Sequence, residues 1–194
     1  KGGFGLYVTE DGRYLTVSIW ESTGEQNAFV IRDLTTGDDA PFIEVAPEIE
    51  DEYSYLGNDG SVFYFRTNRN APNKRIISID TANLEAGPVE IIPETENPVD
   101  DVNLVGDNFL VTYMVDVLAR VKVYDRKGEF LRDVSLPGVG TIHGFGGRRD
   151  AKDTFYYFSG YTTPGTIYRY NLAEDQSEVF AEPEVAFDAS KYTT

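Results

Sequence analysis

The chain has 194 residues, 41% hydrophobic and 13% aromatic, with tyrosine and phenylalanine far ahead of a single tryptophan; that suits one sizeable core, or part of a larger domain, built from pleated, half-buried strands. A formal net charge of −16 repels phosphate backbones, so nucleic acid is not an expected partner, and the plain reading of the acidity is solubility. The lack of cysteine removes disulfide scaffolds, Cys-based zinc sites and cysteine nucleophiles, and no apolar run reaches membrane-spanning length, so no membrane partner is expected either.

The first repeat opens without a methionine or signal peptide at Lys1-Gly2-Gly3-Phe4, which points to a piece of a longer, soluble protein, cytoplasmic or periplasmic. Leu6–Thr9 leads to the turn Glu10-Asp11-Gly12. Arg13–Trp20 then alternates Tyr14, Thr16 and Ser18 against Leu15, Val17 and Ile19, a period of two with one apolar face. Phe29–Leu34 and Phe42–Val45 follow. The second repeat reads Tyr53–Leu56, a turn at Asn58-Asp59-Gly60, Ser61–Arg66, Arg75–Asp80 and Val89–Ile92. The third reads Val102–Val105, Asn108–Met114, Arg120–Asp125 and Phe130–Ser135, with Lys127-Gly128 as its last turn. The fourth reads Thr141–Phe145, Thr154–Ser159, Thr166–Asn171 and Ser177–Phe180. Gly and Asn accept the positive φ that such hairpin turns need. Helix signals are confined to Thr81–Glu85 and Ala173–Asp175.

The third run of each repeat ends on Asp33, Asp80, Asp125 or Asn171, at spacings of 47, 45 and 46 residues. A fixed period in that range, with four short strands per unit, predicts β-propeller blades. The expected fold is all-β, with about four consecutive four-stranded antiparallel blades at roughly 4–49, 53–98, 102–137 and 141–181. Residues 1–182 would be propeller, and 183–194 a connection out of the last blade.

Candidate chemistry is sparse. A catalytic triad needs a base, and the only histidine, His143, sits in an inner-strand phrase, Thr141-Ile-His-Gly-Phe145, where a channel-lining or hydrogen-bonded role fits better. The serines lack a Gly-x-Ser-x-Gly elbow, so no catalytic residue is assigned. The acidic groups Asp38-Asp39, Glu50-Asp51-Glu52 and Asp100-Asp101 read as solvated charges, since sequence neighbours on a strand point to opposite faces and no calcium-loop spacing occurs. Gly144, Gly146 and Gly147 lack the following helix of a phosphate loop and read as a tight turn. No cofactor or metal is expected.

Several phrases resemble the propeller domain of the prolyl oligopeptidases. They are Glu10-Asp-Gly-Arg-Tyr14, Thr67-Asn-Arg-Asn-Ala-Pro-Asn73 with Arg75-Ile-Ile-Ser-Ile-Asp80, Ile92-Pro-Glu94, Leu136-Pro-Gly-Val-Gly140, Tyr161-Thr-Thr-Pro164 with Ile167-Tyr168, and Phe187-Asp-Ala-Ser-Lys-Tyr192. The resemblance implies the last four blades of a seven-bladed propeller, which caps an α/β-hydrolase domain in the same protein and admits only short peptides to its Ser-Asp-His site. It implies a serine peptidase that cleaves after proline, with the triad beyond Thr194. In some members the loop after the second strand of the matching blade carries an arginine that contacts substrate. By that resemblance Trp20 stands at the arginine's place and Thr23 shares its loop, making both substrate-contact candidates. The alternative is a free-standing propeller that binds protein or glycan. An open run of blades would also expose apolar end faces, so self-association is expected.

Overall fold

The computed structural model describes residues 2–37, 39–160, 163 and 165–183. Asp38, most of the phrase Tyr161-Thr-Thr-Pro164 and the segment 184–194, with Phe187–Tyr192, lie outside the described residues. The strands sort into four sheets. The first holds β1 (Gly3–Val8), β2 (Tyr14–Trp20), β3 (Ala28–Asp33) and β4 (Ile43–Ala46). The second holds β5 (Tyr53–Asp59), β6 (Val62–Thr67), β7 (Arg75–Asp80) and β8 (Val89–Ile92). The third holds β9 (Val99–Val105), β10 (Asn108–Val115), β11 (Leu118–Tyr124) and β12 (Phe130–Asp133). The fourth holds β13 (Gly140–Gly144), β14 (Asp153–Gly160), β15 (Thr166–Asn171) and β16 (Gln176–Ala181). Each sheet is an antiparallel meander in sequence order. The fold is therefore all-β, a run of four propeller blades, and a 3-10 turn at Leu84–Ala86 is its helical element among the described residues.

The periodic Asp/Asn has a local cause. Each side-chain oxygen accepts a hydrogen bond from the backbone N–H two residues on: Asp33 from Thr35 (2.9 Å), Asp80 from Ala82 (3.0 Å), Asp125 from Lys127 (2.9 Å) and Asn171 from Ala173 (3.0 Å). This is the Asx-turn, which starts the connection from third to fourth strand in every blade.

One turn differs from the sequence reading. Asn58 and Asp59 continue β5 beyond a bulge between Tyr55 and Gly57, and the turn is Gly60-Ser61, with Gly60 at φ +54. Asn58 is drawn into the structure because its Nδ2 donates to Asp11 Oδ2 of the first blade (3.0 Å) and its Oδ1 accepts from the Tyr55 hydroxyl (2.7 Å). β9 also begins earlier than its alternation suggests, because a bulge opposite Thr112 and Tyr113 breaks the period.

The chain divides into two compact units, Lys1–Glu96 and Asn97–Thr194. In the first, Tyr14, Phe29 and Ile31 from one blade pack on Tyr53, Phe63, Phe65, Ile77 and Ile79 from the next. Phe29 meets Phe65 edge to face at 4.9 Å, and Tyr14 meets Phe63 at 5.2 Å. Such pairs contribute about 1 kcal/mol each beyond their buried area. In the second unit, Leu110, Val121 and Val123 pack with Ile142, Phe145, Tyr156, Phe158 and Tyr170.

Candidate functional site

Trp20 closes β2 and pairs in register with Gly3 on β1. Its indole lies back across β1. A Cβ on Gly3 would stand 2.9 Å from Trp20 Cζ2, and one on Gly5 would stand 3.6 Å from Cζ3. Glycine at position 3 therefore lets the ring sit against the backbone, an aromatic-over-glycine pairing across two strands. The ring stays 37% exposed. Thr23 is exposed in the loop between β2 and β3, and no hydrogen bond joins it to Trp20 among the described residues.

That loop is tied to the second blade. Glu25 pairs with Lys74 (3.0 Å), Lys74 with Glu52 (2.7 Å), and Glu52 with Arg66 (2.6 Å). The Lys74 hydrogen bond is the main reason the Glu25 carboxyl is held below its ordinary range. Asn27 closes the loop: its Nδ2 donates to the Tyr53 carbonyl (3.1 Å) and Ser18 Oγ (3.0 Å), and its Oδ1 accepts from the Tyr53 N–H (2.8 Å). Trp20 thus stands beside a loop fixed at both blades.

The remaining candidates fall apart as chemistry. His143 lies on β13 opposite Tyr157, exposed. Among the described residues no three His, Asp or Glu side chains converge to hold a metal. The acidic groups are not uniformly solvated, however. Glu52 is 5% exposed and neutralised by Arg66 and Lys74, while Asp100-Asp101 lies on strand β9 rather than in a loop. At the glycine cluster, Phe145 adopts φ +63 and turns its ring into the core, stacked on Tyr156 at 4.6 Å. The Gly144 carbonyl accepts from Asn103 (3.0 Å), and a Cβ on Gly147 would stand 2.6 Å from Val105 Cγ2. The cluster is a packed exit from β13.

The model of the prolyl oligopeptidase N-terminal β-propeller domain matches residues 1–183. The chain belongs to this family. It is 38% identical over 191 residues to a prolyl endopeptidase from Elizabethkingia meningoseptica, covering 98% of this chain and 26% of that protein. It is 33% identical over 180 residues to prolyl oligopeptidase A from Galerina marginata, covering 90% of this chain and 24% of the relative. Among solved structures, prolyl oligopeptidase B from Galerina marginata in its apo form superposes with a TM-score of 0.88 at 26% identity, covering 97% of this chain and 28% of that one. A structure from a mechanistic study of two prolyl endopeptidases gives the same TM-score at 25% identity, covering 98% and 28%. The chain thus spans about a quarter of the length of the curated relatives it matches.

The Glu25–Lys74–Glu52–Arg66 chain and the Asn27 clamp are not legible in the sequence. Their partners lie 9 to 49 residues apart with no motif between them. The glycine platform had a signal: Gly3 and Gly5 alternate on a strand opposite the only tryptophan.

Proposed function

We propose that this chain is the gating part of a serine endopeptidase that cleaves short peptides after proline. In this reading it supplies the last four of seven blades, segment 183–194 leads to an α/β-hydrolase domain of the same protein, and the Ser-Asp-His chemistry resides there. The reading is supported above all by the propeller-domain match along residues 1–183. Trp20 and Thr23 are the proposed substrate contacts. The half-exposed indole would pack on a proline ring or flat peptide face, where other members of the family use an arginine.

The test uses the full-length gene product. It should hydrolyse a blocked Gly-Pro anilide and a proline-containing octapeptide, yet leave a large unfolded protein intact; deleting this segment should abolish the size limit. Equal cleavage of both sizes by the intact protein would defeat the gating role. Trp20→Ala should raise KM several-fold, on the order of 1 kcal/mol of lost stacking, with kcat little changed. An unchanged KM would remove Trp20 from the site.

We also propose that this chain by itself associates with copies of itself through the exposed apolar face of its first sheet, where Phe4 and Leu6 are 67% and 61% exposed.

A further inference from the structure

The first two blades are held apart along their first strands. On the face of the first sheet that looks to the second, β1 contributes Gly3, Gly5 and Tyr7, and their register partners on β2 are Trp20, Ser18 and Thr16. Next to these, β3 presents Phe29 and Ile31, which fill the space against the second blade. The small residues do not fill it. A trough of about 500 Å³ remains, lined by Gly5, Tyr7, Ser18 and Phe29 on one side and Tyr53 and Tyr55 on the other. Tyr7 is 57% exposed, and its ring centroid lies 6.3 Å from that of Tyr55, at 50°. The Trp20 ring edge reaches the Gly5 end.

Three properties define what would bind. In a chain of net charge −16, none of the residues lining the trough is charged, so the occupant is an uncharged segment. β1 and β5 are each the terminal strand of their sheet, so among the described residues their outer edges have no strand partner. Rings flanking an open groove suit an extended or polyproline chain, whose pyrrolidine rings pack flat on aromatic faces. We propose that this trough is a binding groove for an uncharged, proline-bearing peptide segment, with Gly5 keeping it open, Tyr7 and Tyr55 providing its ring contacts and the Trp20 ring edge standing at its Gly5 end. The inference rests on the reading of this protein as one that handles proline peptides, but it concerns binding by these blades alone.

The experiment is a calorimetric titration of this chain with the blocked hexapeptide acetyl-(Gly-Pro-Pro)2-amide, and with acetyl-(Gly-Ser-Ser)2-amide as the comparison. Fluorescence of the sole tryptophan serves as a second readout. The proline peptide should bind roughly tenfold more tightly than the serine peptide, and its binding should change Trp20 emission. Gly5→Val keeps an ordinary backbone conformation and suits a strand, but fills the trough; it should weaken binding at least about tenfold with the far-ultraviolet spectrum unchanged. Tyr7→Ala, at an exposed ring, should weaken it about fivefold and keeps the test decisive if the valine variant fails to fold. Equal affinity for the two peptides, no binding of either, or an unaltered affinity in both variants would overturn the groove. Failure of the full-length product to hydrolyse proline peptides would overturn the peptidase reading and leave these titrations standing.

Discussion

Asp33, Asp80, Asp125 and Asn171 recur because each accepts a backbone N–H at the start of a turn. Asp33 does more than its counterparts. Its Oδ2 also accepts from Arg13 Nε (3.0 Å) and Nη2 (2.8 Å), and its Oδ1 from the Thr35 hydroxyl (2.6 Å). The Arg13 hydrogen bond, followed by those from Thr35, pulls its carboxyl down to about 2. A depressed carboxyl stabilises the fold above the unfolded value near 4, and that contribution is lost as pH falls towards 2. Asp33→Asn should therefore flatten the acid limb of the stability profile between pH 4 and 2, as read by thermal melts in that window. An unchanged limb would show that Arg13 gives Asp33 no linkage. Asn27 is a different case: it is buried, and its amide joins two blades through both backbone groups of Tyr53. Truncation strands a buried N–H and a carbonyl, so Asn27→Ala should cost about 3 kcal/mol in urea unfolding. A loss below about 1 kcal/mol would mean that water replaces the amide.

Among the elements, Arg75–Asp80, Val89–Ile92 and Thr166–Asn171 have the same bounds in sequence and structure, and the other strands overlap their expected positions. Alternation and Asx-turn residues carry that much, because both act over a few positions. What escaped depends on distant partners. Asn58 looked like a turn residue and became a strand residue once Asp11, 47 positions away, engaged it. Glu52 looked solvated and is buried by Arg66 and Lys74. The place of Trp20 at the end of β2 was legible from the alternation of that strand, whereas the trough depends on Gly5 and Tyr55, from two different blades, lining one space. The β10–β11 hairpin shows a local conflict. Its tip, Asp116-Val117, has φ of +49 and +67, a turn that favours Asn-Gly, and Val117 is 88% exposed. A β-branched residue there is strained by roughly 1–2 kcal/mol and regains nothing by burial. Val117→Gly should stabilise the chain by about 1 kcal/mol after the entropy cost of glycine, seen as a higher urea midpoint at unchanged slope. A destabilised variant would show that the valine makes a contact worth more than its strain.

At the scale of the whole chain, two tendencies oppose each other. The first sheet presents Phe4, Leu6 and Val8 at alternate positions of β1, 67%, 61% and 47% exposed, and their register partners are Ile19, Val17 and Leu15. An apolar stripe of this kind favours burial against another surface, at about 25 cal/mol per Å² of apolar area. The net charge of −16 favours keeping copies apart. Salt weakens the second tendency and leaves the first intact, since the Debye length shrinks from about 30 Å at 0.01 M to about 3 Å at 1 M. Self-association through this face should therefore grow with ionic strength. Light scattering should give a mass that rises with protein concentration, and more steeply in 0.5 M than in 0.02 M sodium chloride. Leu6→Lys places a charge in the middle of the stripe and should return the chain to monomer in both. Association that weakens with salt would assign the contact to ion pairs instead, and a monomer at every concentration and salt level would mean that this face does not join two copies.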